Sequence, residues 1–279
     1  MEICASLYPL GEWAREVAGP DADVYLLEGE GGGPHSFTPS MRDVTRIGRA
    51  KALLAVGLGL DPWTARTVES SGSAQKTELL EAGTWVTRRK MAAHGDHDEH
   101  GEAAHHHGAA GEDPHVWLDP ERAAQITLRL GEEFARLDPA NAAGYRARAK
   151  ACAEKLTRLA AELEALGKPL RGKKIVTQHD AYGYLFDRLG VELAGVVQLS
   201  PGIEPGTLDV SAAVRRMKAI GQRVVFSEPD REEASQALAE ALGGKVVLLD
   251  NLERSKSSCG ATYAERLRYD VKALVEHLP

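Results

Sequence analysis

Short apolar runs alternate with amphipathic stretches along most of the chain. The apolar runs predict strands at residues 3–7, 24–27, 52–56, 174–177, 191–197, 223–226 and 245–249. The amphipathic stretches predict helices at residues 10–17 and 41–51, and helices that begin near residues 120, 181, 207, 231 and 262. Such alternation is typical of βα units on a parallel sheet. We therefore predict an α/β fold of two lobes, each a mostly parallel four-stranded sheet flanked by helices, although the pattern locates only three of the four strands of the first sheet.

A long helical stretch separates the two series of βα units. It begins near Asp138, ends near Leu166, and is rich in Ala, Glu, Arg, Lys and Leu. A helix of roughly 25 residues is close to 40 Å long, so it is expected to join the lobes as a rigid connector. The predicted division is an amino-terminal lobe at residues 1–137, a connecting helix at 138–167 and a carboxy-terminal lobe at 168–279.

Residues 92–113 interrupt the pattern, because they contain no Val, Ile, Leu, Phe, Lys or Arg. Six of the ten histidines of the chain lie here: His94, His97, His100, His105, His106 and His107. An expression tag has a similar composition, but this segment is internal, irregularly spaced and interleaved with acidic residues. We predict a flexible, acidic His-rich loop that binds metal ions weakly at several labile sites.

Charge and hydropathy exclude some partners. The formal net charge is −7, and no run of Lys or Arg offsets it locally, so no nucleic-acid partner is expected. Apolar runs such as residues 52–60 are about half as long as the ~20 residues that span a bilayer, so we expect a soluble protein. The three cysteines are too few and too scattered for a disulfide framework.

Three histidines outside the loop are candidate metal ligands. His35, His115 and His179 lie beyond the carboxyl ends of predicted strands or in the loops that follow them, and ligands bind at that edge of open α/β sheets. Asp250 follows the strand predicted at 245–249 and points from the same kind of edge. Three imidazoles and one carboxylate, two from each lobe, would form a tetrahedral site that suits Zn²⁺. Each residue taken alone could instead cap a turn or form a core hydrogen bond, Asp250 above all.

Five motifs resemble those of a known family. They are Pro-His-Ser-Phe-Thr-Pro-Ser at 34–40, His-Val-Trp-Leu-Asp-Pro at 115–120, Thr-Gln-His-Asp-Ala-Tyr-Gly-Tyr-Leu at 177–185, Leu-Ser-Pro-Gly-Ile-Glu-Pro at 199–205 and Val-Val-Phe-Ser-Glu-Pro at 224–229. Together they resemble the cluster A-I solute-binding proteins of bacterial metal ABC importers, over nearly the whole chain. The zinc-specific branch, with its acidic His-rich loop, is the most similar. The resemblance implies two α/β lobes joined by one rigid helix, with a metal ion between them.

The resemblance also implies the ligand set. His35, His115 and His179 match the three histidines of the family, and Asp250 matches its carboxy-terminal aspartate. The sequence around that aspartate is Leu-Asp-Asn-Leu, where the family commonly has Leu-Asp-Pro-Leu. Some zinc-branch members use a carboxylate beside the first histidine, but this chain has Pro34 there. Manganese-type relatives often carry Glu at the third position, so His179 favours zinc.

The function implied by the resemblance is that of a high-affinity receptor. It would capture extracytoplasmic Zn²⁺ as a transported ligand and deliver it to a cognate ABC permease, as a monomer and without catalysis. It would act in the periplasm or on the outer face of the cytoplasmic membrane, and we expect its signal sequence to be absent from this chain. Other roles stay open: a manganese receptor or adhesin of the same family, a zinc buffer, or a zinc hydrolase with water at the fourth metal position. Glu228 would be the first general base to test in a hydrolase; otherwise it accepts a hydrogen bond near the metal or lies on the surface.

Overall fold

The computed structural model describes residues 1–28, 33–71, 77–91, 111–197, 206–229 and 231–279, without the side chains of residues 36, 207–209, 233 and 234. The six histidines of the predicted His-rich loop lie outside these residues. Contacts divide the chain into two units. The amino-terminal unit comprises Met1–Arg88, Val116–Glu162 and Leu252–Lys256, and the carboxy-terminal unit comprises Arg89–His115, Leu163–Asn251 and Ser257–Pro279. The lobe boundaries drawn from the sequence stay a prediction.

The amino-terminal unit contains a parallel four-stranded sheet. Its strands are β1 (Glu2–Ala5), β2 (Asp23–Leu26), β3 (Ala52–Ala55) and β4 (Glu78–Glu81), in the order β2-β1-β3-β4. The central strand β3 is buried along its whole length, whereas both ends of the edge strand β4 are exposed. The helices of the amino-terminal unit are α1 (Tyr8–Ala18), α2 (Met41–Ile47), α3 (Trp63–Ser70) and α4 (Pro120–Leu137). The predicted class of this sheet is confirmed.

Helix α5 spans Ala142–Leu166, and the chain passes from one unit to the other within it. Its 25 residues match the length expected from the sequence. It begins later than Asp138 because Pro139–Asn141 form a separate 3₁₀ turn. Within the described ranges, no helix is both long enough and apolar enough to cross a bilayer.

The described residues of the carboxy-terminal unit form four further strands and four helices. The strands are β5 (Lys174–Thr177), β6 (Glu192–Val196), β7 (Val224–Ser227) and β8 (Lys245–Leu248), and the helices are α6 (Gly183–Leu189), α7 (Thr207–Ala219), α8 (Glu232–Leu242) and α9 (Tyr263–His277). The strands form two parallel pairs, β5 with β6 and β7 with β8. The α/β class is confirmed, but in the described residues of this unit the strands form two pairs and not the single four-stranded sheet that the sequence predicted.

A side-chain amide explains the split sheet. The backbone N–H of Val176 in β5 donates to Gln222 Oε1 at 2.8 Å. Gln222 Nε2 donates to the carbonyl oxygens of Val176 and of Val224 in β7, both at 2.9 Å. Gln222 is fully buried, so its amide satisfies backbone groups that would otherwise pair strand to strand.

Candidate metal centre

His115 lies in the carboxy-terminal unit, just before the 3₁₀ turn Val116–Leu118. Its backbone N–H donates to Asp113 Oδ1 at 2.9 Å, and its ring Nδ1 lies 2.7 Å from the same oxygen. Both side chains are buried. A carboxylate accepts hydrogen bonds, so we assign the ring proton to Nδ1, which leaves the lone pair on Nε2 for a metal ion.

The carboxylate that holds His115 is kept ionised despite its burial. Burial would raise the pKa of Asp113, but the hydrogen bonds from His115 and from Arg89 outweigh it and lower that pKa. Arg89 Nη1 lies 2.8 Å from Asp113 Oδ2. Asp113 therefore presents a fixed negative charge to the imidazole.

His179 follows β5 and is held in a similar way. Thr177 Oγ1 donates to the carbonyl oxygen of His179 at 2.9 Å, which fixes the turn after the strand. The ring Nδ1 of His179 lies 3.2 Å from Oε1 of Glu228, the buried residue that follows β7. Burial opposes ionisation of Glu228, but its contacts with His179 and the nearby charge of Arg231 lower its pKa. The buried carboxylate of Glu228 therefore lies beside Nδ1 of the His179 ring.

The two imidazoles lie next to each other. The ring centroids of His115 and His179 are 5.2 Å apart, and the rings meet edge to face at 84°. A ring nitrogen of each lies within 4.8 Å of one on the other. Zn–N bonds are about 2.0–2.1 Å long, so two nitrogens on one zinc ion lie at most about 4 Å apart. A small adjustment of either ring brings both nitrogens onto one ion.

Asp250 is buried two residues after the end of β8, in the carboxy-terminal unit. Its backbone N–H donates to Asp270 Oδ1 at 2.8 Å, and its Oδ2 lies 3.7 Å from Nη1 of the buried Arg266. Tyr182, which follows His179 by three residues, donates its hydroxyl proton to the carbonyl oxygen of Leu249 at 2.7 Å. Burial and the charge of Asp250 raise the pKa of Asp270 well above its ordinary value. A guanidinium and a backbone hydrogen bond therefore hold Asp250 in place.

His35 lies in the amino-terminal unit, in the 3₁₀ turn Pro34–Ser36. Trp63 Nε1 donates to the carbonyl oxygen of Pro34 at 3.2 Å, and the Phe37 ring lies 4.7 Å from the Trp63 ring. These contacts fix the backbone on both sides of His35. Its participation in a metal site stays a prediction.

The prediction of two ligands from each lobe stays a prediction. The contact-based division groups His115 with the carboxy-terminal unit, to which His179 and Asp250 also belong. Sequence reasoning missed Asp113 as the partner of His115 and Arg266 as the partner of Asp250. The spacing Asp-Pro-His could have indicated the first pair, because a short acidic side chain bonds readily to the backbone N–H two residues on.

The lowered pKa of Asp113 predicts how stability depends on pH. A depressed carboxyl pKa adds stability that is present above the ordinary value of about 3.9 and is lost as the pH falls through the lower folded value. The variant Asp113→Asn should therefore melt below wild type near neutral pH, and the difference should narrow below about pH 4. Thermal melts of metal-free protein across this range provide the measurement. A difference in melting temperature that stays constant across the range would contradict the prediction.

Comparisons with known proteins identify a family that is similar to this chain. Residues 3–277 match the sequence profile of the family described as zinc-uptake complex component A, periplasmic. The zinc-binding lipoprotein AdcA of Streptococcus pneumoniae is 30% identical over 283 residues, which cover 98% of this chain and 55% of AdcA. The high-affinity zinc uptake system protein ZnuA of Brucella abortus is 26% identical, over 99% of this chain and 91% of that protein.

Solved structures of known proteins are also similar to the structure of this chain. The Zn(II)-bound structure of a variant of AdcAII from Streptococcus pneumoniae superposes with a TM-score of 0.83 and 26% identity, covering 100% of this chain and 98% of that one. The chain spans about half the length of the streptococcal AdcA proteins that it matches in sequence.

Proposed function

Because the chain belongs to the family of periplasmic zinc-uptake components, we propose that it is a receptor that captures Zn²⁺ as cargo. The observation that carries the proposal is the pair of buried, adjacent imidazoles of His115 and His179. Each ring has its Nδ1 against a buried carboxylate, Asp113 or Glu228. Carboxylate partners of this kind orient metal-ligating histidines and make them better donors.

The donor set that we propose contains three imidazoles and one carboxylate. His35 and Asp250 would join His115 and His179, and together they would fill the four positions of a tetrahedral zinc ion. Imidazole is a borderline-soft ligand, and divalent affinities rise from Mn²⁺ towards Zn²⁺. This favours zinc over manganese as the cargo. The histidines of the predicted loop would serve as weak auxiliary sites.

We propose binding without catalysis. A zinc hydrolase needs an open metal position for water and a general base near it. Asp250 would occupy the fourth position. Glu228 is the candidate base. Its Oε1 contacts the His179 ring, and its Oε2 lies 3.4 Å from Arg231 Nε. Both carboxylate oxygens therefore already face a donor group.

The proposed receptor acts outside the cytoplasm and hands its cargo to a membrane permease. The names of its relatives, a zinc-binding lipoprotein and a zinc uptake system protein, support this role. We propose that it works as a monomer, in the periplasm or at the outer face of the cytoplasmic membrane.

A competition between metals tests the choice of cargo. Protein loaded with Mn²⁺ should release it when an equal concentration of Zn²⁺ is added, because an imidazole-rich site prefers zinc. Metal analysis of the desalted protein gives the bound ratio. Retention of Mn²⁺ against equimolar Zn²⁺ would reject the zinc receptor and support the manganese receptor of the same family.

A further inference from the structure

A network of polar contacts continues from His115 away from the proposed metal position. Its centre is the carboxylate of Asp113, which is fully buried. One oxygen, Oδ1, contacts the His115 ring, and the other, Oδ2, accepts a hydrogen bond from Arg89 Nη1 at 2.8 Å. Because one rigid carboxyl group joins the two contacts, the position of the guanidinium constrains the direction in which Oδ1 points.

Arg89 is itself fixed from two sides. Its Nε donates to Asp187 Oδ2 in helix α6 at 3.0 Å, so the guanidinium bridges two carboxylates. Its backbone carbonyl oxygen accepts a hydrogen bond from the backbone N–H of Asp113 at 2.9 Å. The planar guanidinium thus meets the buried carboxylate in a defined orientation, which a flexible ammonium group would not reproduce.

Tyr184 contacts both chain segments of this network, the one at Arg89 and the one at Asp113. Its hydroxyl donates to the carbonyl oxygen of Asp113 at 2.8 Å and accepts from the backbone N–H of Arg89 at 3.1 Å. The side chain is almost completely buried in α6. The hydroxyl therefore anchors the segment that carries His115 to a helix of the carboxy-terminal unit.

A glycine makes room for the guanidinium. A Cβ atom at Gly183 would lie 1.6 Å from Arg89 Nη1 and 3.0 Å from Asp113 Oδ2. The guanidinium is the end of a flexible side chain, so an alanine at this position would displace it. Gly183 thus offers a way to move the Arg89 charge away from Asp113 without removing it.

We propose that Arg89 is a positioning residue that controls how tightly His115 holds the cargo ion. It orients the Asp113 carboxylate, which in turn fixes the orientation and the tautomer of the His115 ring. Without the guanidinium, the backbone N–H of His115 would be the remaining contact that orients the Asp113 carboxylate, and the Nδ1 proton of His115 would be held less firmly. A fraction of the rings would then carry the proton on Nε2 and could bind zinc through that nitrogen only after the proton has moved to Nδ1, which weakens zinc binding. This inference rests on the proposed function.

The test compares zinc release from wild type and four variants, with His115→Ala added as a check on the proposed function. Arg89→Met removes the guanidinium contacts with Asp113 and Asp187, and Gly183→Ala displaces the guanidinium. Arg89→Lys keeps the positive charge but lacks the planar guanidinium that contacts both carboxylates. Arg171→Met is the matched control, because that guanidinium is exposed in the same unit and lies 3.8 Å from Glu164. A chelator is mixed with each zinc-loaded protein, and the dissociation rate is recorded. Metal-free samples labelled with ¹⁵N report the tautomer of His115 by NMR.

Loss of the group that contacts a metal ligand directly costs about 10–100-fold in affinity. Arg89 acts one contact further out, through Asp113, so zinc should leave Arg89→Met and Gly183→Ala faster by up to roughly tenfold. Arg89→Lys should give an intermediate rate, and Arg171→Met the wild-type rate. The ¹⁵N shifts of His115 should move towards a mixture of tautomers in the two fast variants only. If Arg89→Met does not fold, Gly183→Ala and Arg89→Lys decide the question.

Wild-type release rates and unchanged ¹⁵N shifts in the Arg89 and Gly183 variants would overturn the positioning role. Failure of the proposed function gives a different result. In that case His115→Ala itself would release zinc at the wild-type rate, whatever the Arg89 variants do.

Discussion

Replacing His115 or His179 by alanine is expected to weaken zinc binding by roughly a hundredfold or more. Loss of a group that only supports a ligand already costs about 10–100-fold, and these changes remove the ligand itself. The truncation also leaves Asp113 or Glu228 buried without the imidazole that it contacts. Competition with a fluorescent zinc chelator measures the affinity, and circular dichroism checks that each variant folds.

Two further variants calibrate this result. His277→Ala, near the end of α9, should bind zinc like wild type, because its Nε2 lies beside Glu276 at 3.6 Å and it is not a proposed ligand. Asp250→Ala should lose less affinity than either histidine variant, since water can enter the vacant position and preserve four-coordination. Wild-type affinity in both His115→Ala and His179→Ala would show that zinc binds elsewhere.

Zinc should also raise the thermal stability of the protein substantially. A ligand that binds only the folded state adds about 4 kcal/mol when its concentration is a thousand times its Kd. A domain of this size gains roughly 2–4 °C per kcal/mol, so the melting temperature should rise by roughly 10 °C. Differential scanning calorimetry of metal-free protein, with and without Zn²⁺, measures the shift.

The same scan on His115→Ala is the control, and its shift at equal zinc concentration should be much smaller. Addition of a chelator should return the wild-type protein to its lower melting temperature. A wild-type melting temperature that does not respond to zinc at neutral pH would contradict a site formed only by the folded chain.

Much of the fold could be predicted because the apolar runs have the length and composition of buried parallel strands. Strand β5 occupies Lys174–Thr177, as predicted, since three of its four residues are buried. Strand β4 was not predicted: its two leucines are flanked by Glu78 and Glu81, and an edge strand needs few apolar residues. Nor could the split of the carboxy-terminal sheet be predicted, because it depends on where the Gln222 amide lies after folding.

The candidate ligands were easier to predict than the residues that hold them. His115, His179 and Asp250 follow or precede recognisable elements, so their positions could be assigned from the local pattern. The Arg89 side chain contacts Asp113 across 24 residues of chain, and Glu228 contacts His179 across 49. No local pattern encodes such tertiary contacts. They follow from the docking of the residues around Arg89 and Asp113 on α6, and from the neighbouring ends of β5 and β7.

The most direct test of the zinc receptor is the position of the metal itself. A crystal of the protein with one equivalent of Zn²⁺ can be measured at the zinc absorption edge, where anomalous scattering locates the ion. We expect one dominant peak at about 2.0–2.1 Å from a ring nitrogen of both His115 and His179, with His35 and a carboxylate oxygen of Asp250 completing the shell. A dominant peak away from His115 and His179 would contradict the proposed site. Water in the place of Asp250 would contradict the closed shell and make the hydrolase the function to test.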